Sequence, residues 1–302
     1  MLWFSDNKGL ATGIAVAGFG LAKAIASPLM EYLIGTVGLV NMFFILAVIY
    51  AVMMFFGFLL IKRPADWVYD PATSHVSRAE ILRKPVFWGI WIAFYINITC
   101  GLALISQEKD ILHDVLKAFP QYAGLSPAKF AAAIAGIIGL VLAVDSVFNT
   151  AGRVGFSTLS DHLKRRETVY QVIFIMSIAV CLLQIFTNSI NNALLWAVLA
   201  MLFLINAGYG GGFSTLPVLL DQHFGTKTVS TTHGLALSAW AFAGLSGNQL
   251  ASFVVTHTPD QAHRYAALIP VLTGLFALAL ISISLVKYLG GRNGEGKRSI
   301  GA

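Results

Sequence analysis

The sequence predicts an all-α membrane protein with eight transmembrane helices. Of its 302 residues, 57% are hydrophobic and only 11% charged, whereas a soluble domain carries about 25% charged residues. The mean hydropathy is +0.75. Apolar runs recur along the chain at the length needed to cross a hydrocarbon layer about 30 Å thick, roughly 20 residues at 1.5 Å each. The runs are continuous rather than alternating, which argues against a membrane β-barrel. Charge this sparse excludes a disordered chain, a coiled coil and a water-soluble enzyme.

The first span is 10–34, rich in Gly and Ala and carrying Lys23 and Glu31. The second is 39–61. Residues 62–84 then turn polar, with Pro64 and Pro71, and read as a linker between two membrane units. The linker ends in Ser77-Arg-Ala-Glu80, where Ser and Glu side chains are expected to cap each other's backbone amides. Spans follow at 85–107, 130–156, 168–187, 192–220, 231–256 and 265–288. The charged, amphipathic stretch 108–129 reads as an external segment, broken by Pro120 and by Ser126-Pro127. The expected organisation is a two-helix unit (1–61), a loop (62–84), a six-helix unit (85–288) and a tail (289–302).

Loop charge sets the orientation. Lys8, Lys62, Arg63, Arg78, Arg83, Lys84, Lys164, Arg165, Arg166, Lys227, Lys287, Arg292, Lys297 and Arg298 fall on one side, and only Lys109, Lys117, Lys129 and Arg264 on the other. The positive-inside rule makes the first side cytoplasmic, with both termini there and the protein in the plasma (inner) membrane. Residues 1–8 carry Asp6 and Lys8 and do not read as a secretory signal. The net charge of +6 then reflects cytoplasmic loops, and no nucleic-acid partner is expected. Cys100 and Cys181 sit in apolar runs with no disulfide or metal spacing.

Two stretches repeat. Lys8-Gly-Leu-Ala-Thr-Gly-Ile-Ala-Val-Ala-Gly-Phe-Gly20 and His233-Gly-Leu-Ala-Leu-Ser-Ala-Trp-Ala-Phe-Ala-Gly-Leu245 each open a span after a basic loop, and one further span follows each. Parallel repeats of this kind mark transporters built from two similar halves. Four spans precede the second copy and none the first, so the expectation is a 6+6 protein lacking four helices; chance likeness of two Gly/Ala-rich helices is the alternative.

Three stretches carry a resemblance to a family. These are Trp3-Phe-Ser-Asp-Asn-Lys-Gly-Leu-Ala-Thr-Gly13, Gly152-Arg-Val-Gly-Phe-Ser-Thr-Leu-Ser-Asp-His-Leu-Lys-Arg-Arg166, and Gly208-Tyr-Gly-Gly-Gly-Phe-Ser-Thr-Leu-Pro217 with Phe224-Gly-Thr-Lys227. They resemble the major facilitator superfamily, and within it the oxalate/formate antiporter-like carboxylate carriers. The resemblance implies helices 5–12 of a 12-helix fold and secondary transport of small organic anions by alternating access. Coupling would be to protons or a counter-anion, with no cofactor. Ser157, His162 and Lys164 depart from the loop motif, so its turn is expected to pack less tightly. Oxalate carriers of the family use a second basic residue in the eleventh helix; 231–256 has no Lys or Arg, which favours a monocarboxylate.

Arg153 is the first candidate. Eight residues from Asp161, it lies about 12 Å deeper, near the middle of the bilayer. A cation there needs a counter-ion or a substrate anion, and guanidinium holds carboxylate through two parallel hydrogen bonds. The resemblance matches Arg153 to the family's substrate-binding arginine; a structural ion pair, or snorkelling, is the alternative. Asn149, one turn away, is expected to line the route to it. Asp161 at a helix end can bond a neighbouring helix's terminus, and the resemblance makes it, with Arg165 and Arg166, a latch rather than a substrate site. Gly208, Gly210, Gly211 and Gly212, with Pro217, suit either a bending, cavity-lining helix or close packing. Tyr209 offers a hydroxyl to a carboxylate, Trp240 a cavity wall at about the level of Arg153, and Tyr95 and Asn97 polar groups in the third span. Lys23 and Asp145 reach matching depths, and the resemblance implies that their helices face each other, so an ion pair between them would offset the cost of each in lipid and gate the site; Lys23 binding substrate or facing lipid is the alternative. No enzyme signature, paired intramembrane carboxylates, zinc pattern or phosphate loop stands out. The alternatives to a carrier are an inactive transporter fragment and a membrane sensor or partner subunit.

Overall fold

The structure is a computed structural model and describes residues 3, 4, 6–62, 64, 77–187, 192–259 and 265–298. Within its helices, the side chains of residues 23, 24, 27, 192 and 291–298 lie outside that description. The described residues form α1 (Lys8–Val37), α2 (Leu39–Leu60), α3 (Arg78–Leu82), α4 (Pro85–Lys117), α5 (Pro127–Asp161), α6 (Glu167–Phe186), α7 (Asn192–Phe224), α8 (Val229–Ala236), α9 (Ser238–His257) and α10 (Leu268–Arg298), with no strand among them. Among the described residues, six helices are long and apolar enough to cross a membrane: α2, α4, α5, α6, α7 and α10. All eight predicted spans are helical. In α1, however, the apolar stretch among the described residues is Lys8–Ala22, and α9 is not among the six.

Prolines start two of the long helices. Pro85 and Pro127 stand in the first turns of α4 and α5, where a missing N–H costs nothing and the fixed φ suits a helix. The core joins α4, α6, α7, α9 and α10, with Phe94, Tyr170, Phe174 and Phe276 among its fully buried aromatics. α5 packs on α7, and α1 packs on both. α2 packs on α1 through Leu33, Met42 and Leu46. The rest of α2 displays apolar side chains such as Phe44, Met54 and Phe58, the surface expected of a helix in lipid.

Two expectations need correction, and α4 runs on through residues 108–117, past its predicted span. Ile111, Leu112 and Leu116 continue its buried stripe at helical spacing and bring Glu108, 2% exposed, inside. Ser77 begins α3 without a side-chain cap; the turn closes instead through Glu80 N–H on the Ser77 carbonyl, 2.9 Å, and the Glu80 carboxylate lies 3.7 Å from Lys84. The second repeat copy is not one helix, because Leu237 separates α8 from α9.

Small residues of α1 set its distance from α5. A Cβ on Gly9, Gly13 or Gly20 would run into Ser157 oxygens (Gly9 and Gly13) or the Thr150 hydroxyl (Gly20). The two helices are therefore antiparallel and in close contact over three turns. Ser157, expected to loosen the turn, is fully buried and its hydroxyl donates to the Arg153 carbonyl. The volume its side chain adds on α5 is accommodated by glycine on α1.

Candidate functional site

Arg153 lies in the last third of α5, 4% exposed, facing α1 and α7. Phe19 of α1 and Phe213 of α7 flank the guanidinium, their ring centroids 5.8 and 5.2 Å from its carbon. These distances suit a cation over an aromatic face. Nε donates to Asn149 Oδ1 at 2.9 Å. One terminal nitrogen, Nη1, is buried without a hydrogen-bond partner. A desolvated charged donor left unmatched is costly, so this edge of the guanidinium suits an added acceptor.

Behind Nε runs a chain of amides. Asn149 Nδ2 donates to Asn206 Oδ1 at 2.8 Å, and Asn206 Nδ2 donates to Asp145 Oδ2. Every bond runs donor to acceptor in one direction, from cation to carboxylate, which fixes both amide orientations. Asp145 is 1% exposed. Beside it, a void of about 10 Å³ is lined by Asp145, Asn206 and Glu108 of α4. Two buried carboxylates thus line one small void; they are 37 residues apart on different helices, beyond the reach of any local spacing rule. The Lys23 side chain, its predicted partner, lies outside the described residues.

The glycines of α7 serve close packing. A Cβ on Gly208 would meet Ile173 of α6 at 2.8 Å, on Gly210 the Asn149 carbonyl, on Gly211 the Phe156 ring, and on Gly212 the Asn97 amide. Asn97 donates to the carbonyls of Gly208 and Tyr209 at 3.3 and 3.5 Å, and so binds α4 to α7. Tyr95 instead faces α9, where its hydroxyl donates to Ser246 at 2.9 Å and its ring stacks on Trp91. Tyr209 packs against Gly101. Trp240 sets an edge on Phe213, centroids 5.4 Å apart, and so reaches the Arg153 site through that ring.

A charge cluster joins α1, α5 and α7 at their common end. Asp161 accepts from the backbone N–H groups of Gly9 and Leu10 at 2.8 and 2.9 Å, so its carboxylate meets the positive end of α1. Lys8 lies 2.9 Å from Asp221 of α7. Arg166 reaches Asp161 at 3.6 Å and Asp221 at 3.7 Å, and donates to the Val218 carbonyl at 2.8 Å. Arg165 turns away, pairing with buried Glu167 at 3.0 Å and donating to the Lys287 carbonyl. Among the described residues no group of His, Cys, Asp and Glu is placed to hold a metal ion.

The sequence matches the model of the Major Facilitator Superfamily over residues 1–248, which includes Arg153, its amide chain and the whole charge cluster. The chain belongs to that superfamily. It is similar to the oxalate:formate antiporter of Oxalobacter formigenes, 25% identical over 92% of this chain and 62% of that protein. It is also similar to an uncharacterized MFS-type transporter of Escherichia coli (strain K12), 27% identical over 77% of this chain and 54% of that protein. The chain thus spans less than two thirds of either relative's length. As a superfamily member with six membrane-capable helices, it is an integral membrane protein.

In this superfamily member, Arg153 and Asn149 share one site, with Phe213 bringing Trp240 to its edge. Asp145 is bonded to it through Asn206. Tyr95 and Asn97 face different neighbouring helices. Sequence reasoning missed Asn206, Phe19 and Phe213. Asn206 is a polar residue deep in an apolar run and carried a readable signal. The two phenylalanines carried none, since aromatics are common in such spans.

Proposed function

We propose that the chain is the substrate-binding part of a secondary transporter that moves small organic anions by alternating access. Arg153 binds the substrate carboxylate. The observation carrying this reading is the Arg153 guanidinium, buried between α1, α5 and α7 with Nη1 lacking a partner. Likeness to an oxalate:formate antiporter supports carboxylates, and the absence of Lys and Arg from 231–256 favours one carboxylate per substrate. In this reading all eight spans cross the membrane and both termini are cytoplasmic. The unit 1–61 moves against 85–288, with 62–84 joining them and 289–302 as tail. Asp161, with Arg166, holds the cytoplasmic side shut, while Arg165 braces α6 against α10.

The test is uptake of labelled formate, lactate and oxalate into proteoliposomes. Arg153→Ala should abolish uptake while insertion persists. Arg153→Lys keeps the charge but loses the planar fork, and affinity should fall by about 1–3 kcal/mol. Uptake unchanged in Arg153→Ala would remove this residue from the site.

A further inference from the structure

Few charged side chains lie in the buried layer around Arg153. Following α5 outward from Arg153, the charged side chain met next is Asp145, two turns on. α4 contributes Glu108, across the small void. α7 contributes Asn206 at this level; its acidic residue Asp221 and His223 lie near its far end. α6 has Glu167 as its one charged residue, at its start. α1 contributes Lys23 by register: Gly13 lies opposite Arg153 to Ser157 and Gly20 opposite Asn149 and Thr150, so one turn further brings residue 23 level with Asp145 and Ser146. Among the described side chains, Arg153 is thus the cation that accompanies these two carboxylates. One more anion placed on Arg153 adds negative charge beside two carboxylates, which is costly in low dielectric.

The amide chain says where that surplus is felt. Arg153, Asn149, Asn206 and Asp145 are joined by hydrogen bonds that all point the same way, so the cation and the carboxylate polarise one another through two amides. A substrate carboxylate on the guanidinium draws its positive charge the other way and leaves Asp145 less compensated. Resting on the proposed function, we infer that carboxylate binding at Arg153 is linked through Asn149 and Asn206 to uptake of a proton at the Asp145–Glu108 void, so that the anion is carried together with a proton. Linkage is reciprocal: the proton must favour the anion by the same factor as the anion favours the proton. Asn206 is the positioning residue of this link.

The experiment is calorimetry of formate binding to the purified protein in lipid nanodiscs, in two buffers of different ionisation enthalpy, which yields protons taken up per formate bound. Wild type should take up protons, and its affinity should rise as pH falls. Asp145→Asn keeps an acceptor but cannot titrate; it should bind with markedly less proton uptake. Asn206→Leu should weaken binding and lose the uptake together. Asn206→Gln, which keeps the amide, should recover part of both. Formate binding by wild type without proton uptake would overturn the inference and leave the carrier reading standing. Uptake undiminished in Asp145→Asn would overturn it as well. No binding by wild type would overturn the carrier reading and the inference with it.

Discussion

At Gly152 the chain has no room for a methyl group. A Cβ there would press into the backbone of Ala207, whose carbonyl carbon and Cα lie 2.6 and 2.7 Å from its position. Backbone cannot swing aside as a side chain can, so Gly152→Ala must push α5 from α7. The expected cost is about 1–3 kcal/mol, the usual range for overpacking. On the same helix, a Cβ on Gly139 meets nothing within 4 Å; Gly139→Ala should be neutral or gain up to about 1 kcal/mol from helix propensity. Melting of the detergent-solubilised variants should therefore order Gly152→Ala below wild type and Gly139→Ala at or above it, and equal melting of all three would contradict the close approach. At this scale the sequence was legible where a residue type is expensive in lipid. Arg153, Asn149 and Asp145 stand out for that reason. The roles of Asn97 and Tyr95 were not legible, because a polar group in a span serves packing or substrate equally well until its partner is known.

At the scale of elements, the start of α1 is held by a side chain of another helix. The first N–H groups of a helix lack internal partners, and Asn7, at the cap position, makes no side-chain cap bond. Asp161 supplies both acceptors from across the interface. Asp161→Ala should free Gly9 and Leu10, cost about 1–3 kcal/mol, and speed hydrogen exchange at these amides more than in α10. Asp161→Asn, with one acceptor oxygen and no charge, should fall between. Exchange in Asp161→Ala matching wild type would mean that α1 is held by its glycine contacts alone. Helices were the most legible part of the fold, since long apolar runs leave the backbone no other way to satisfy its hydrogen bonds in lipid. Helix ends were less so. α4 runs to Lys117 because residues beyond 107 bury a stripe against neighbours, a tertiary effect that a hydropathy run cannot register.

At the scale of the whole molecule, α1 meets α5 and α7 along a line with different chemistry at each level. One end is held by Asp161, Lys8, Asp221 and Arg166. The middle is glycine against backbone, with Phe19 over Arg153. Further along stand Asp145 and, by register, Lys23. An interface bonded by charge at one end and by small residues along its middle can pivot, because glycine contacts are short-ranged while ion pairs re-form with modest motion. The pairing of Lys23 with Asp145 is our proposal for the second closure. It makes a prediction that neither charge makes alone. Lys23→Asp leaves like charges facing one another, and so does Asp145→Lys; each should lose uptake and several degrees of melting temperature, as removing one partner of a buried pair costs about 3–5 kcal/mol. The double exchange restores opposite charges in reversed order. It should recover much of the melting temperature, but less of the uptake, because the Asn206 amide would then face an ammonium group in place of an acceptor and the amide chain to Arg153 would break. Recovery of neither would place Lys23 away from Asp145. Full recovery of uptake would show that the closure matters and the amide chain does not.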